Sequence, residues 1–247
     1  MFSPRAIPIA ALLVVFVGCD ERSSSTSATT SAPPPVKVEH AGTIGGRVLL
    51  AGKLPALPRV AVTGDAHCTG LHPDGVPDES VVAAGDGGLA NVFVYLKGAP
   101  ASDGAGREPA MIDQIACQYV PHAVAVQVNQ TLRVKSSDPV LHNVHVIGEN
   151  NPPLNLAEVK PGEQTVRFGQ PDTLRVRCDV HQWMKAVVRV FDNPYFAVSG
   201  ADGKFEIKGV PPGEYTLAAW HERLGELTQK VTVAPDGTVK EDFTYKP

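Results

Sequence analysis

The chain has 247 residues, 43% of them hydrophobic but only 6% aromatic, with 23 Gly, 22 Pro and a formal net charge of −4. A mildly acidic balance without a basic cluster excludes a nucleic-acid-binding surface. Short Val-rich alternating runs, with no long amphipathic windows, exclude a helical bundle and predict an all-β protein of one or two domains.

Residues 1–18 read as a signal peptide. Arg5 supplies a positive region, and the apolar run from Ile7 to Gly18 falls short of the roughly 20 apolar residues that cross a bilayer. Phe16-Val17-Gly18-Cys19 resembles a bacterial lipobox, with Phe16 standing where Leu is usual. That resemblance implies lipidation at Cys19 and a membrane-anchored lipoprotein in the periplasm or at the cell surface. Residues 19–41 are Ser, Thr and Ala followed by Pro33-Pro34-Pro35, a composition that packs no core and predicts a flexible tether.

Residues 42–50 read as a first strand. Residues 51–87 are rich in Pro, Gly and Asp and are expected to be loop. A second strand is predicted over 89–96, then a loop over 99–108. Val124, Val126 and Val128 alternate up to an Asn129-Gln130 turn, after which Leu132 and Val134 alternate with Thr131, Arg133 and Lys135. Both runs have the period of two that a half-buried strand requires. Strands over 141–146, 166–168, 173–178 and 186–191 complete this block. In the tail, strands over 204–207 and 214–219 follow Gly-rich turns. Residues 229–233, the Asp236-Gly237 turn and residues 241–245 read as a hairpin.

The chemistry concentrates in Leu141-His142-Asn143-Val144-His145 and Cys178-Asp179-Val180-His181-Gln182-Trp183-Met184. Strand parity puts His142 on the face of Val144 and Val146, directed inward, and His145 on the opposite face. Cys178 shares a face with Leu174 and Val176. One thiolate, two imidazoles and a thioether form the donor set of a blue-copper centre, whereas zinc has little use for Met184. A binuclear copper centre would need a second Cys near Cys178. A multicopper enzyme would flank Cys178 with His, where this chain has Arg177 and Asp179. No nucleophile–base pair, phosphate loop or hydrolase motif is present, and Trp220-His221-Glu222 reads as structural, so no enzymatic activity is expected. Past Cys19 and Cys178, Cys68 and Cys117 remain. In an exported chain they are expected to pair as a disulfide, the alternative being a second metal site with His67, His72 and His122.

The two motifs resemble those of the plastocyanin/amicyanin-like cupredoxins over residues 120–191. The resemblance implies a Greek-key β-sandwich with one type 1 copper bound by His142, Cys178, His181 and Met184. It also implies that Asn143 ties the ligand loops together by hydrogen bonds around the sulfur. Such a protein would carry single electrons between redox partners such as a cytochrome or a dehydrogenase. His181 would be its partly exposed edge, and Trp183 and Pro139 its apolar docking surface. The rival reading is a non-redox binding or structural lipoprotein module in which copper is structural or stored.

Residues 203–217 resemble the carboxypeptidase regulatory-like family, a small transthyretin-like β-sandwich. Gly46-Arg47-Val48 and Ala90-Asn91-Val92 look like that family's first two strands, yet they precede the copper motifs. The expected organisation is therefore interrupted. Residues 42–98 give the early strands, 99–191 an inserted cupredoxin domain and 192–247 the remainder. The alternative is two sequential domains, with 42–98 belonging to the cupredoxin.

Overall fold

A computed structural model describes residues 38–52, 57–158 and 161–246. The expected signal peptide, the lipidation site Cys19 and the tether up to residue 37 lie outside the described residues. The chain begins with β1 (Gly42–Leu50), α1 (Ala66–Leu71) and β2 (Phe93–Lys97). It continues through β3 (Ala110–Ile115), β4 (Gln118–Val120), β5 (Ala123–Gln127), β6 (Leu132–Ser136) and β7 (His142–Ile147). Next come β8 (Leu154–Glu158), β9 (Gly162–Val166), β10 (Asp172–Arg177) and β11 (Lys185–Phe191). The chain ends with β12 (Phe196–Val198), β13 (Lys204–Val210), β14 (Gly213–His221), β15 (Gly225–Val233), β16 (Thr238–Lys240) and β17 (Phe243–Tyr245).

The fold is all-β and consists of two sandwiches. In the first, the sheet β5-β11-β10-β7-β8 faces the sheet β4-β3-β6-β9. The chain changes sheet between β4 and β5, between β5 and β6, between β6 and β7, and on both sides of β9, as a Greek-key path does. Inward-alternating Val124, Val126, Val134, Val144, Val146 and Leu174 fill its core. The polar alternates of β6 and β10, Arg133 and Arg175 among them, face solvent.

The second sandwich opposes β13-β1-β16, with β17 also on β1, to β12-β2-β14-β15. β1 runs antiparallel to β13 and parallel to β16 and β17, and β2 is antiparallel to β12 and β14. The two earliest strands thus pair with the latest ones, and β3 to β11 pair only among themselves. Gly46 is required by this arrangement, because a Cβ there would lie 1.7 Å from the Glu241 carbonyl oxygen. A third cluster, including Phe93, Tyr95, Val187 and Phe191, packs the outer face of β2 and β14 against that of β5 and β11.

Several expectations are corrected. Residues 229–245 form no hairpin: β15 pairs with β14, and past Asp236-Gly237 the chain crosses to the opposite sheet. The crossing buries Phe243 and Tyr245 in the sandwich core, where the Tyr245 hydroxyl donates to the Ala219 carbonyl at 2.6 Å. The strand expected over 166–168 lies earlier: β9 ends at Val166, and Phe168 fills the core from a loop. The expected loop over 51–87 contains α1, whose N-cap Asp65 accepts from the backbone N–H of His67 and Cys68. The β3–β4 hairpin and β8 were not expected.

Candidate metal centre

β10 ends one residue before Cys178, and its antiparallel register with β7 sets Arg177 opposite His145. Cys178 therefore arrives beside the start of β7, where His142 is the first residue. The following loop folds back tightly. Met184 N–H donates to the His181 carbonyl (2.9 Å), and Cys178 N–H donates to the Met184 carbonyl (3.2 Å). His181 N–H points at Cys178 Sγ, 3.3 Å away. His142, Cys178, His181 and Met184 are all buried, with at most 3% of any of them exposed.

The Nδ1 atoms of His142 and His181 lie 2.9 Å apart, and Cys178 Sγ lies 3.9 Å from His181 Nδ1. One donor atom from each of the three falls within 4.8 Å of the others, so the set can hold a metal ion. Neither Nδ1 has an oxygen partner. At 2.9 Å one ring's Nδ1–H donates to the other ring in the metal-free protein, and a metal ion bound by both rings would take that proton's place. The mix of soft sulfur and imidazole suits a transition metal. Burial first, then the neighbouring His142, pushes the His181 pKa down and favours the neutral imidazole that ligates metals. Met184 packs in the same core as Cys178.

His145 takes no part: its Nδ1 sits 3.0 Å from both carboxylate oxygens of Asp179. Asn143 is buried beside the sulfur. Its Oδ1 accepts from Asp179 N–H (2.7 Å) and lies 3.3 Å from Cys178 Sγ, while its Nδ2 donates to Asp179 and Asn155. It ties the start of β7 to β8 and to the 178–184 loop. Sequence reasoning missed Asp138, whose Oδ2 lies 3.0 Å from His142 Nε2. The only sequence signal is an acid four residues before the ligand.

Cys68 and Cys117 are disulfide-bonded, which leaves no thiolate for a second metal site there. His72 Nε2 instead meets the Ala116 carbonyl (2.6 Å), and His122 meets the Lys185 carbonyl and the Glu222 carboxylate. The bond clips α1 to the β3–β4 turn, close enough to the centre for the Asp65 charge to act on His181. The expectation of a partly exposed His181 is therefore corrected, because the ring is covered. Trp183 lies against it at 4.8 Å between ring centroids, and its Nε1 donates to the Cys117 carbonyl at 2.9 Å. Pro139 is exposed. His221 is buried, and its Nδ1 accepts from the backbone N–H of Arg223 and Leu224, a structural role.

Fold and donor set together give a Greek-key β-sandwich with a buried two-His, one-Cys cluster, combined with a second β-sandwich. The family model described as "Carboxypeptidase regulatory-like domain" matches residues 184–246. Among solved structures, a copper-containing nitrite reductase from Thermus scotoductus SA-01 is similar at 20% identity and a TM-score of 0.32, over 38% of this chain and 24% of that one. The chain thus spans about a quarter of that enzyme. The Cu(I) form of a mutant amicyanin is similar at 18% identity and a TM-score of 0.31, over 39% of this chain and 97% of that one. A purple cupredoxin from Nitrosopumilus maritimus is similar at 22% identity and a TM-score of 0.29, over 33% and 98%. No curated protein sequence matches the chain. Among the described residues, no helix is long and apolar enough to cross a membrane.

Proposed function

We propose that this protein is an exported lipoprotein that binds one type 1 copper ion, carries single electrons between redox protein partners, and performs no bond chemistry. The observation that carries the reading is the convergence of two imidazole Nδ1 atoms and one thiol among buried residues. His142, Cys178, His181 and Met184 would hold the ion. Copper bound there would supply one-electron exchange between its cuprous and cupric states.

The chain's own residues supply rigidity. His142 is fixed in β7, Cys178 is held at the end of β10, and the hydrogen bonds within 178–184 keep His181 in place. Asn143 keeps its carboxamide against the sulfur. His181 reaches the surface through Trp183, and Leu141 and Val180, each exposed and adjacent to a ligand, offer an apolar docking surface for a cytochrome or dehydrogenase. Lipidation at Cys19, which the lipobox resemblance implies, would hold the protein at a membrane.

Copper-loaded, oxidised protein is expected to show an intense thiolate-to-copper band in the visible that Cys178→Ser abolishes. A colourless copper complex would overturn the proposal. It would favour the second reading, suggested by the regulatory-like match, of a binding module in which copper is stored or structural.

A further inference from the structure

We propose that Asp138 is a positioning residue. Its carboxylate fixes the His142 ring and tautomer so that Nδ1 presents its lone pair to the metal, and the disulfide-clipped turn holds the carboxylate in turn. For its effect at the metal, this inference rests on the copper reading.

Asp138 is buried and fully engaged. Its Oδ2 lies 3.0 Å from His142 Nε2 and accepts from Cys117 N–H at 2.7 Å, while Oδ1 accepts from Ala116 N–H at 2.8 Å. Ala116 and Cys117 form the two-residue β3–β4 connection, and both have positive φ, 50° and 54°. Two successive left-handed residues turn consecutive N–H groups to one side and make a small anion-binding concavity. Neither residue is Gly or Asn, so the conformation is costly, and it persists because something holds it. The holders are the Cys68–Cys117 bond and the Asp138 carboxylate.

The chemistry follows from what Asp138 can accept. Its carboxylate accepts only, so His142 Nε2 must be the protonated nitrogen, and in the neutral imidazole Nδ1 is then bare. Such a carboxylate–imidazole pair makes the ligand more basic and orients it. A fixed negative charge behind the ligand favours the more positive, cupric state and lowers the reduction potential.

The test uses the full chain loaded with copper and the variant Asp138→Asn, which keeps the shape but loses the charge and one of the three accepted bonds. The blue band should persist. Affinity for Cu(II) relative to Cu(I) should fall about tenfold, equivalent to a potential raised by about 59 mV for one electron. Asp172→Asn is the control for general destabilisation. Asp172 opens β10, at the strand end opposite Cys178, and accepts from the N–H groups of Asn150 and Asn151, so its variant should lose stability and leave the potential unchanged. An unchanged potential in Asp138→Asn, with the band present, overturns the inference and leaves the copper reading intact. Imidazole 15N NMR of the metal-free wild type gives an independent readout even if the variant fails to fold or copper gives no colour. Protonated Nε2 on neutral His142 is expected, and protonated Nδ1 overturns the inference.

Discussion

Asn143 is a tie between strands beside the 178–184 loop. One carboxamide accepts from Asp179 N–H and donates to the side chains of Asp179 and Asn155, which joins β7, β8 and the ligand loop. Asn143→Ala should leave these partners short of hydrogen bonds and cost about 1–3 kcal/mol. Urea unfolding of the metal-free protein, with an unchanged slope, should show this as a lowered midpoint, and an unmoved midpoint would refute it. Period-two parity places His142 inward and His145 outward from sequence alone, because β7 has one face on the core. Parity could not place Asn143, which shares the outward face with His145. Its burial comes from β8 and the ligand loop folding over that face, a tertiary effect that alternation does not encode. Asp138 was equally hidden, since its partners come from a turn more than twenty residues upstream.

At the scale of elements, the Cys68–Cys117 bond and the Trp183 Nε1–Cys117 carbonyl bond tie α1 and the β3–β4 turn to the 178–184 loop. α1 has six residues, too few for a helical period to register, and its sequence sign is limited to the capping Asp65. The β3–β4 hairpin was illegible for a related reason. Its turn is Ala116-Cys117 rather than the Asn-Gly or Asp-Gly that signals two left-handed residues, and only the disulfide and Asp138 make that pair tolerable. The Val-rich strands, by contrast, were readable because each must present one apolar face. The Cys68–Cys117 bond spans a sequence separation of 49, for which loop-closure entropy gives about 4 kcal/mol, with typical bonds giving about 2–4. The double variant Cys68→Ala/Cys117→Ala should lose stability in that range. It should also lose amide hydrogen-exchange protection at the start of β4 and in α1, and leave His181 open to modification by diethyl pyrocarbonate. If His181 stays as unreactive as in the intact protein, α1 is not what covers it.

Across the whole molecule, the two sandwiches meet through an apolar cluster, the Arg189 guanidinium on Tyr95 and Trp220, and the His122 imidazole. Gly46-Arg47-Val48 belongs to β1 and Ala90-Asn91-Val92 leads into β2, so the sequence signs of the second sandwich lie on both sides of the first. The meeting surface itself has no such sign, because it joins outer strand faces that read as ordinary alternation. His122, between β4 and β5, binds the Lys185 carbonyl of β11 at 3.1 Å and, beyond β14, the Glu222 carboxylate at 2.5 Å, with Glu79 4.0 Å away. Burial opposes a charge on His122, but the Glu222 hydrogen bond and the charges of Glu222 and Glu79 outweigh it and raise the pKa above 6.5. Its neighbour His221 behaves oppositely, because burial pushes its pKa down to about 4. The signs follow from linkage. His122 stabilises the fold fully below pH 6.5, and that contribution fades as pH rises through its raised value. His221 must stay neutral, so stability is lost as pH falls from 6.5 toward about 4, by roughly 2–3 kcal/mol. Thermal unfolding should therefore be highest near pH 6.5 and fall on both sides. His122→Gln should flatten the alkaline limb and His221→Gln the acid limb down to the pH at which carboxylates begin to protonate. If the double variant keeps both limbs, the pH dependence arises elsewhere and the imidazole bridge does not govern how the sandwiches hold together.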